Sequence, residues 1–260
     1  MRRGNIFWGI ILIFAGGLFL LNTLGIVSFN VWGIIWPGFL IGAGLWILVG
    51  YFWGPSQASE HLSIPLEGAE KAHVQVHHGA GRFDLRADDE TGSLLVGDFA
   101  GGVEVDRRQQ GNGLFVTLSV PRQAFSFSPA RSLDWSLALN PQVALDMELD
   151  MGANEALVDL GGLQVHSLRL SSGASATRLI LPAQAGFTQA VVKSGAASVT
   201  IDIPEGVAAA VRTSSGLASV QVNTQRFPYQ NGEYRSPNYE QAQNRVALSV
   251  ETGVGSVQVR

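Results

Sequence analysis

A glycine recurs through the C-terminal part of this 260-residue chain, most often directly after a serine or threonine. From Gly152 to Gly216 the copies are 21, 22 and 21 residues apart, and the last follows 37 residues later, after an insertion. A sequence period in the low twenties is typical of a solenoid, in which each repeat forms one rung of a stack. We therefore expect the glycines to mark equivalent corners of the rungs: Gly79, Gly152, Gly173, Gly195, Gly216 and Gly253.

Apolar residues occupy alternate positions on both sides of these glycines, most regularly three and five residues before and six residues after. A period of two predicts a strand on each side of a turn, so we expect an all-β domain. A β-sandwich with a hairpin at each glycine would explain the alternation but not the regular spacing. We favour a parallel β-solenoid over residues 61–260. We expect positive φ at its corners, a conformation that costs residues other than glycine about 1–2 kcal/mol.

Two long apolar runs precede the repeats, over residues 6–24 and 31–52, and residues 5–53 contain no Asp, Glu, Lys or Arg. As helices rising about 1.5 Å per residue, both runs match the roughly 30 Å hydrocarbon core of a bilayer. A cleavable signal peptide would be followed by polar mature sequence rather than by a second apolar run. The sequence therefore predicts a two-span transmembrane hairpin over residues 1–54 and a linker at residues 55–60.

Gly38 and Gly42 form a G-x-x-x-G pair in the second run, a spacing that lets two helices approach closely in lipid. The pair predicts packing within the hairpin, with dimerisation of two chains as the alternative. Arg2 and Arg3 precede the first span, while the loop between the spans carries no charge. The positive-inside bias then places the N-terminus in the cytoplasm, and two spans return the chain to that side. We expect a multi-pass protein of the cell membrane with a cytoplasmic β-domain.

The residue types argue against nucleic-acid binding, catalysis and metal binding. The net charge of −4 leaves no basic surplus to neutralise nucleic-acid phosphates, and the chain has no cysteine to act as nucleophile or metal ligand. His73 and His77 would lie about 13 Å apart along one strand, too far to share a metal. The carboxylates of Asp146, Glu148 and Asp150 form a row that does not converge on one cation. We therefore predict that the protein is not an enzyme and has no metal site or cofactor.

The insertion at residues 223–244 holds three of the four tyrosines of the chain and two arginines. Tyr and Arg on a loop are the residue types that dominate binding energy at protein interfaces. The alternative is a loop folded over the end of the solenoid to cover its open edge. The predicted partner interface consists of Arg226, Phe227, Tyr229, Tyr234, Arg235 and Tyr239.

Both ends of the chain resemble a known family. Residues 2–13, RRGNIFWGIILI, residues 20–26, LLNTLGI, and the Trp36-Pro37 pair resemble the LiaF-like membrane hairpin of bacterial envelope proteins. The tail at residues 246–257, VALSVETGVGSV, is similar to the end of the toastrack β-domain that often follows this hairpin. The resemblance implies a bacterial protein of cell-envelope stress and antibiotic response, with a membrane histidine kinase as one partner, and it offers no catalytic residue.

The sequence thus predicts a non-catalytic, membrane-anchored binding or regulatory protein whose β-domain contacts another membrane or regulatory protein. Its further partners are the lipid bilayer and, by one interpretation, other copies of itself. The alternative is structural: a membrane-attached scaffold that assembles by stacking β-domains edge to edge. Concentration-dependent polymerisation of the β-domain would separate the scaffold from the regulatory protein.

Overall fold

The computed structural model describes residues 59–88, 92–121 and 133–260, together with residues 13, 16, 36–42 and 44–45. The chain divides into two compact units, one of residues 1–55 with 127–130 and the other of residues 56–126 with 131–260.

The described residues of the first unit are helical, and Trp36 stacks on Phe39 with the ring centroids 5.9 Å apart. No helix among the described residues has the length and apolar character needed to cross a membrane. The predicted spans lie mostly outside those residues. No atom of the described part of the chain comes within 4 Å of a Cβ placed on Gly38 or Gly42. The packing role of this pair stays a prediction.

The second unit is a single mixed sheet of thirteen strands within the described residues. In chain order the strands are β1 (Ser59–Pro65), β2 (Lys71–Ala87), β3 (Ser93–Ala100), β4 (Glu104–Gln110), β5 (Gly113–Ser119), β6 (Trp135–Leu139), β7 (Ala144–Asp159), β8 (Gln164–Ile180), β9 (Phe187–Asp202), β10 (Ala208–Val222), β11 (Tyr229–Gln230), β12 (Glu233–Arg235) and β13 (Arg245–Val259).

Six long strands form the rungs of a parallel stack, in the spatial order β2, β7, β8, β9, β13, β10. Neighbouring rungs pair in register, so that Ser194 lies beside Ser172 on one side and beside Thr252 on the other. Each rung is one continuous strand that contains its glycine, and we call the residues before and after the glycine its first and second arms. Parallel pairing supports the solenoid prediction and contradicts the hairpins that a β-sandwich would need at the glycines.

The inward-facing residues of the two arms form one apolar core. Gly195 and Ala196 are both exposed, so the inside–outside alternation of β9 shifts by one residue at the corner. Aligned over six rungs, the inward columns give a continuous interior, in which each fully buried Val or Leu contributes about 1.5–3 kcal/mol. In β9 the buried positions are Ala190, Val192 and Ser194 before the corner and Ala197, Val199 and Ile201 after it.

The connections between rungs close the third side of this core. Leu160 and Leu163 flank the Gly161–Gly162 turn after β7, and both side chains are buried. Ile203 and Val207 do the same in the turn between β9 and β10. An apolar residue at each end of a short polar turn therefore seals the open side of the bent rung.

The corner glycines do not have positive φ, so the physical reason predicted for them is wrong. Positive φ occurs two residues further on in two rungs, at Gly81 and Gly255. A Cβ placed on Gly195 would stand 2.9 Å from the carbonyl oxygen of Gly173, and one on Gly253 would stand 2.8 Å from that of Gly195. The corners require glycine because the backbones of neighbouring rungs approach closely there.

The rungs do not stack in chain order at the C-terminal end. The last strand, β13, inserts between β9 and β10, where Val250 pairs with Val192 on one side and with Thr213 on the other. The 37-residue step between the last two glycines therefore includes the insertion that connects the end of β10 to β13, which lies between β9 and β10.

The two ends of the stack are finished differently. At the N-terminal end, β5 pairs with the first arm of β2 and β6 pairs with the second arm, so two short strands make a split rung. The strand β4 then runs antiparallel to β5, while β3 and β1 continue antiparallel from β6. Both arms at this end are therefore covered.

At the C-terminal end, the insertion covers only part of the last rung. β11 and β12 form a hairpin whose turn residues, Asn231 and Gly232, both have positive φ, as a two-residue type I′ turn requires. β12 pairs with β10 at Ala210 and Val211 alone. No described strand pairs with the outer edge of β10 beyond Val211, so the second arm of this rung is a free sheet edge.

Candidate interaction surface

The outer face of the first arms carries charges that are paired between rungs. The Nδ1 of His77 lies 3.1 Å from a carboxylate oxygen of Asp150, and the Nζ of Lys193 lies 2.9 Å from that of Glu251. Glu148 accepts a hydrogen bond from Gln75 at 3.0 Å. Asp146, Glu148 and Asp150 thus lie along the outer face of β7, as predicted. No group of three potential metal ligands forms among the described residues.

His78 is the buried member of the histidine cluster, with 2% of its surface exposed. Its Nε2 lies 2.6 Å from the carbonyl oxygen of Leu133, and its Nδ1 lies 3.5 Å from the Nδ2 of Asn154. A neutral ring satisfies both contacts, with Nε2–H donating to the carbonyl and Nδ1 accepting from the amide. Burial lowers the pKa of His78, and the Leu133 hydrogen bond and the charge of Asp134 partly oppose this. The side chain is a neutral part of the core.

A shallow groove of about 850 Å³ follows the corner glycines across five rungs. Glycine backbone and serine or threonine residues line it, with Asp150, Lys193 and Glu251 at its border. Ser194 donates to Thr252 at 2.9 Å and both residues are buried, whereas Ser214 and Ser215 of the last rung are exposed. A nucleophile needs a base within hydrogen-bond reach, and the described groove residues include no histidine to serve as one.

The insertion places its six predicted interface residues in two different settings. Phe227 is 1% exposed and belongs to the core, while the guanidinium of Arg226 donates to the carbonyl oxygens of Ile203 and Pro204 at 2.8 and 3.0 Å. Both residues anchor the insertion to the stack, which favours the covering role for them. Sequence reasoning treated them as equal to the tyrosines because residue type alone does not show which way a loop side chain faces.

The remaining four residues lie nearer the surface. Tyr229 is 62% exposed and packs its ring against Tyr234 with the centroids 4.9 Å apart. Arg235 lies over the ring of Tyr239 and bonds Glu240. Burial raises the pKa of the Tyr239 phenol. A partner-binding role for these residues stays a prediction, and Tyr229 is the member best exposed to serve it.

The residues that directly follow the corner glycines form a row along the stack. At its C-terminal end this row consists of exposed apolar side chains, which the sequence analysis did not predict. The residue after each corner glycine points outward and is alanine in four of the rungs. In the last two rungs of the stack it is Val254, 53% exposed, and Leu217, 86% exposed. The change from alanine to larger apolar residues at this repeat position is the sequence feature that could have predicted them. Leu217 is the first residue of the second arm of β10, whose outer edge pairs with no described strand.

The fold and this surface define a bent-rung parallel β-stack with exposed aromatic and apolar side chains at its C-terminal end. Residues 53–202 match the family described as the N-terminal domain of toast_rack, DUF2154. Residues 6–48 match the LiaI-LiaF-like transmembrane region. The chain therefore belongs to the toast-rack family and carries a LiaI-LiaF-like membrane region, which confirms the resemblance. No curated protein matches the chain.

A solved structure shares the fold. A candidate cell adhesion protein from Clostridium sporogenes ATCC 15579 has a TM-score of 0.70 at 18% identity, over 77% of this chain and 97% of that one. A candidate adhesin from Bacteroides fragilis NCTC 9343 has a TM-score of 0.27 at 9% identity, over 78% of this chain and 96% of that one, a score too low to show a common fold. The first likeness shows the fold alone.

Proposed function

We propose that this chain is a membrane-anchored regulatory protein of the bacterial cell envelope, whose β-domain binds a second membrane or regulatory protein during envelope stress. The observation that carries the proposal is the direct succession of a LiaI-LiaF-like membrane region and a toast-rack stack. The stack presents an extended regular surface and, among the described residues, no group of three potential metal ligands.

The surface supports binding by a limited area of the stack. Its outer face is occupied by ion pairs between rungs, which contribute little to affinity because both charges already have partners. The C-terminal end instead presents exposed aromatic and apolar side chains, with Tyr229 on the insertion and Leu217 on the last rung. Tyrosine is among the residue types that supply most of the binding energy at interfaces, whereas leucine adds mainly apolar contact area.

A membrane histidine kinase is the partner that the family resemblance favours. The mechanism we propose is steric: the β-domain covers a surface of the kinase in unstressed cells and releases it when the envelope is damaged. A domain that acts by occlusion needs a fixed position at the membrane and a stable shape. The proposed anchor and the parallel stack supply these two properties.

The partner is tested by crosslinking the full chain in native membranes with and without Tyr229→Ala. We expect the substitution to lower recovery of a crosslinked kinase, because it removes the most exposed tyrosine of the insertion and leaves the buried Phe227 in place. Phe115→Ala is the matched control, since Phe115 is also a half-exposed aromatic but lies at the other end of the stack. Equal recovery from all three proteins would contradict binding through the insertion.

The anchor and its orientation belong to the same proposal: two spans, with the β-domain on the cytoplasmic side. We expect the chain to stay with membranes through an alkaline carbonate wash. We also expect a C-terminal alkaline phosphatase fusion to be inactive and a green fluorescent protein fusion to fluoresce. An active phosphatase would reverse the orientation, and release by carbonate would remove the anchor.

The scaffold alternative requires both ends of the stack to pair with other copies. The outermost strands at the N-terminal end carry features that oppose such pairing. β1 contains Glu60 and ends in Pro65, and four of the seven residues of β4 are charged. We therefore favour the regulatory protein over an open-ended scaffold.

A further inference from the structure

The last rung has a sheet edge that no described strand covers over most of its length. β10 is bonded on one side to β13 over its whole length, but on the other side β12 covers only Ala210 and Val211. The backbone groups of the second arm that point away from β13 have no partner strand within the described residues. Such groups form a template for a further strand, and proteins commonly block it with charges, proline or a covering segment.

This edge carries none of those blocking features in its own sequence. Residues 213–225 contain no Asp, Glu, Lys, Arg or Pro, in contrast to the charged and proline-bearing strands at the other end of the stack. The inward-facing Val220 and Val222 of the second arm pack only partly against the core, because no further rung lies beyond them among the described residues. Leu217 stands 86% exposed at the corner.

We propose that the second arm of β10 pairs antiparallel with the same arm of a second copy of this chain, giving a closed two-fold dimer. A two-fold interface requires that one patch be complementary to itself. With Val220 opposite Val220 of the second copy, Ala218 faces Val222, so that apolar residues meet apolar residues on the inward side. Outward-facing Leu217, Ser219 and Gln221 bring no like charges together. The two cores then become continuous across the junction.

The second copy fits this edge better than an unrelated strand for two reasons. The uncharged segment offers no charge pattern by which a different partner would be selected, while self-pairing needs none. The charged strand β4 and the proline-bearing strand β1 also oppose pairing at the N-terminal end of the stack. The assembly therefore stops at two chains and does not extend further. The dimer is separate from the proposed contact of Tyr229 with a kinase, and either can fail alone.

The test uses single cysteines, which the natural chain lacks. Ser219 on β10 and Ser198 on β9 occupy the same repeat position, joined through Ser256 of β13, and both are exposed. In the dimer the two copies of Ser219 lie near the axis. The two copies of Ser198 lie about five strand spacings, or ~24 Å, apart. Ser219→Cys is therefore the probe of the free edge, and Ser198→Cys is its matched control.

We expect a short bis-maleimide to crosslink the full chain carrying Ser219→Cys into a dimer in native membranes, and to leave Ser198→Cys monomeric. Adding Gln221→Lys to Ser219→Cys places two like charges about 8 Å apart across the axis and should abolish the dimer. Adding Thr200→Lys, at the equivalent position of β9, should not. The proposal is overturned if Ser219→Cys stays monomeric, if both cysteines crosslink equally, or if Ser219→Cys is captured by a different protein.

Discussion

At the scale of single residues, the backbone of one rung sets the side chain allowed at the corner of the next. A Cβ on Gly195 would stand 2.9 Å from the carbonyl oxygen of Gly173, closer than carbon and oxygen normally approach. The carbonyl belongs to a paired strand and cannot turn away without breaking the register. The corner therefore tolerates no side chain, although its φ would permit one.

We expect Gly195→Ala to lower the free energy of unfolding by about 1–3 kcal/mol, the usual cost of overpacking an interior. Gly216→Ala should cost less, because Gly216 lies in the last rung, which can move away from Gly253. Chemical denaturation of the full chain measures both values, with Gln230→Ala in the exposed hairpin as control. Equal midpoints for Gly195→Ala and Gln230→Ala would show that backbone approach does not determine the corner.

The buried His78 predicts a pH dependence whose sign follows from its depressed pKa. The unfolded chain binds the proton near the ordinary pKa of 6.5, whereas the folded chain binds it only at lower pH because burial disfavours the charged ring. Stability from this group is thus present above pH 6.5, falls as the pH drops below that value, and levels off below the folded pKa.

His78→Gln, which cannot titrate, should reduce the loss of stability between about pH 6.5 and 5. Thermal melting across this range measures the loss, and an unchanged loss in His78→Gln would contradict this account. Replacing the surface residue His166 by Gln should leave it unchanged.

At the scale of elements, the repeat could be predicted because each rung repeats one pattern. The apolar positions before and after Gly195 became buried columns, and the carboxylates of β7 lie on the outer face as their alternation indicates. Spacing alone does not show which rungs are neighbours, so the position of β13 could not be predicted. The split rung of β5 and β6 was also missed, since neither strand contains a corner glycine.

The position of β13 predicts an unusual effect of truncation. Removing the last repeat of a solenoid normally shortens it by one rung, but removing residues 245–260 takes out a rung between two others. Arg260 would be lost with it, and its guanidinium now bonds Asp202 of β9 at 2.5 Å and lowers the pKa of that carboxyl. We expect β10 to detach from the stack in the truncated protein, residues 1–244. Trypsin should then cleave this protein rapidly at Arg212 and Arg226. Resistance of both sites, at the level of the intact chain, would show that β10 does not depend on β13.

At the scale of the whole molecule, stability along the stack depends on how its ends are closed. A rung contacts only its neighbours, so an unprotected end opens first and the opening spreads inward. The N-terminal end is closed by antiparallel strands on both arms. The C-terminal end depends on Phe227, on the Arg226 hydrogen bonds, and on β12 over the first arm of β10. The two ends should therefore differ in how their backbone amides exchange with solvent.

Phe227→Ala tests this asymmetry because it removes a core aromatic from one end only. Loss of a buried phenylalanine typically costs about 3–5 kcal/mol, and here the cost should fall on the rungs nearest the insertion. Hydrogen exchange of the full chain should accelerate in β10 and β13 and stay unchanged in β2 and β7. Tyr229→Ala is the matched control, since Tyr229 lies two residues further along the same insertion and is largely exposed. A uniform acceleration over all rungs would mean that the stack opens as one unit, and its ends would then have no separate role.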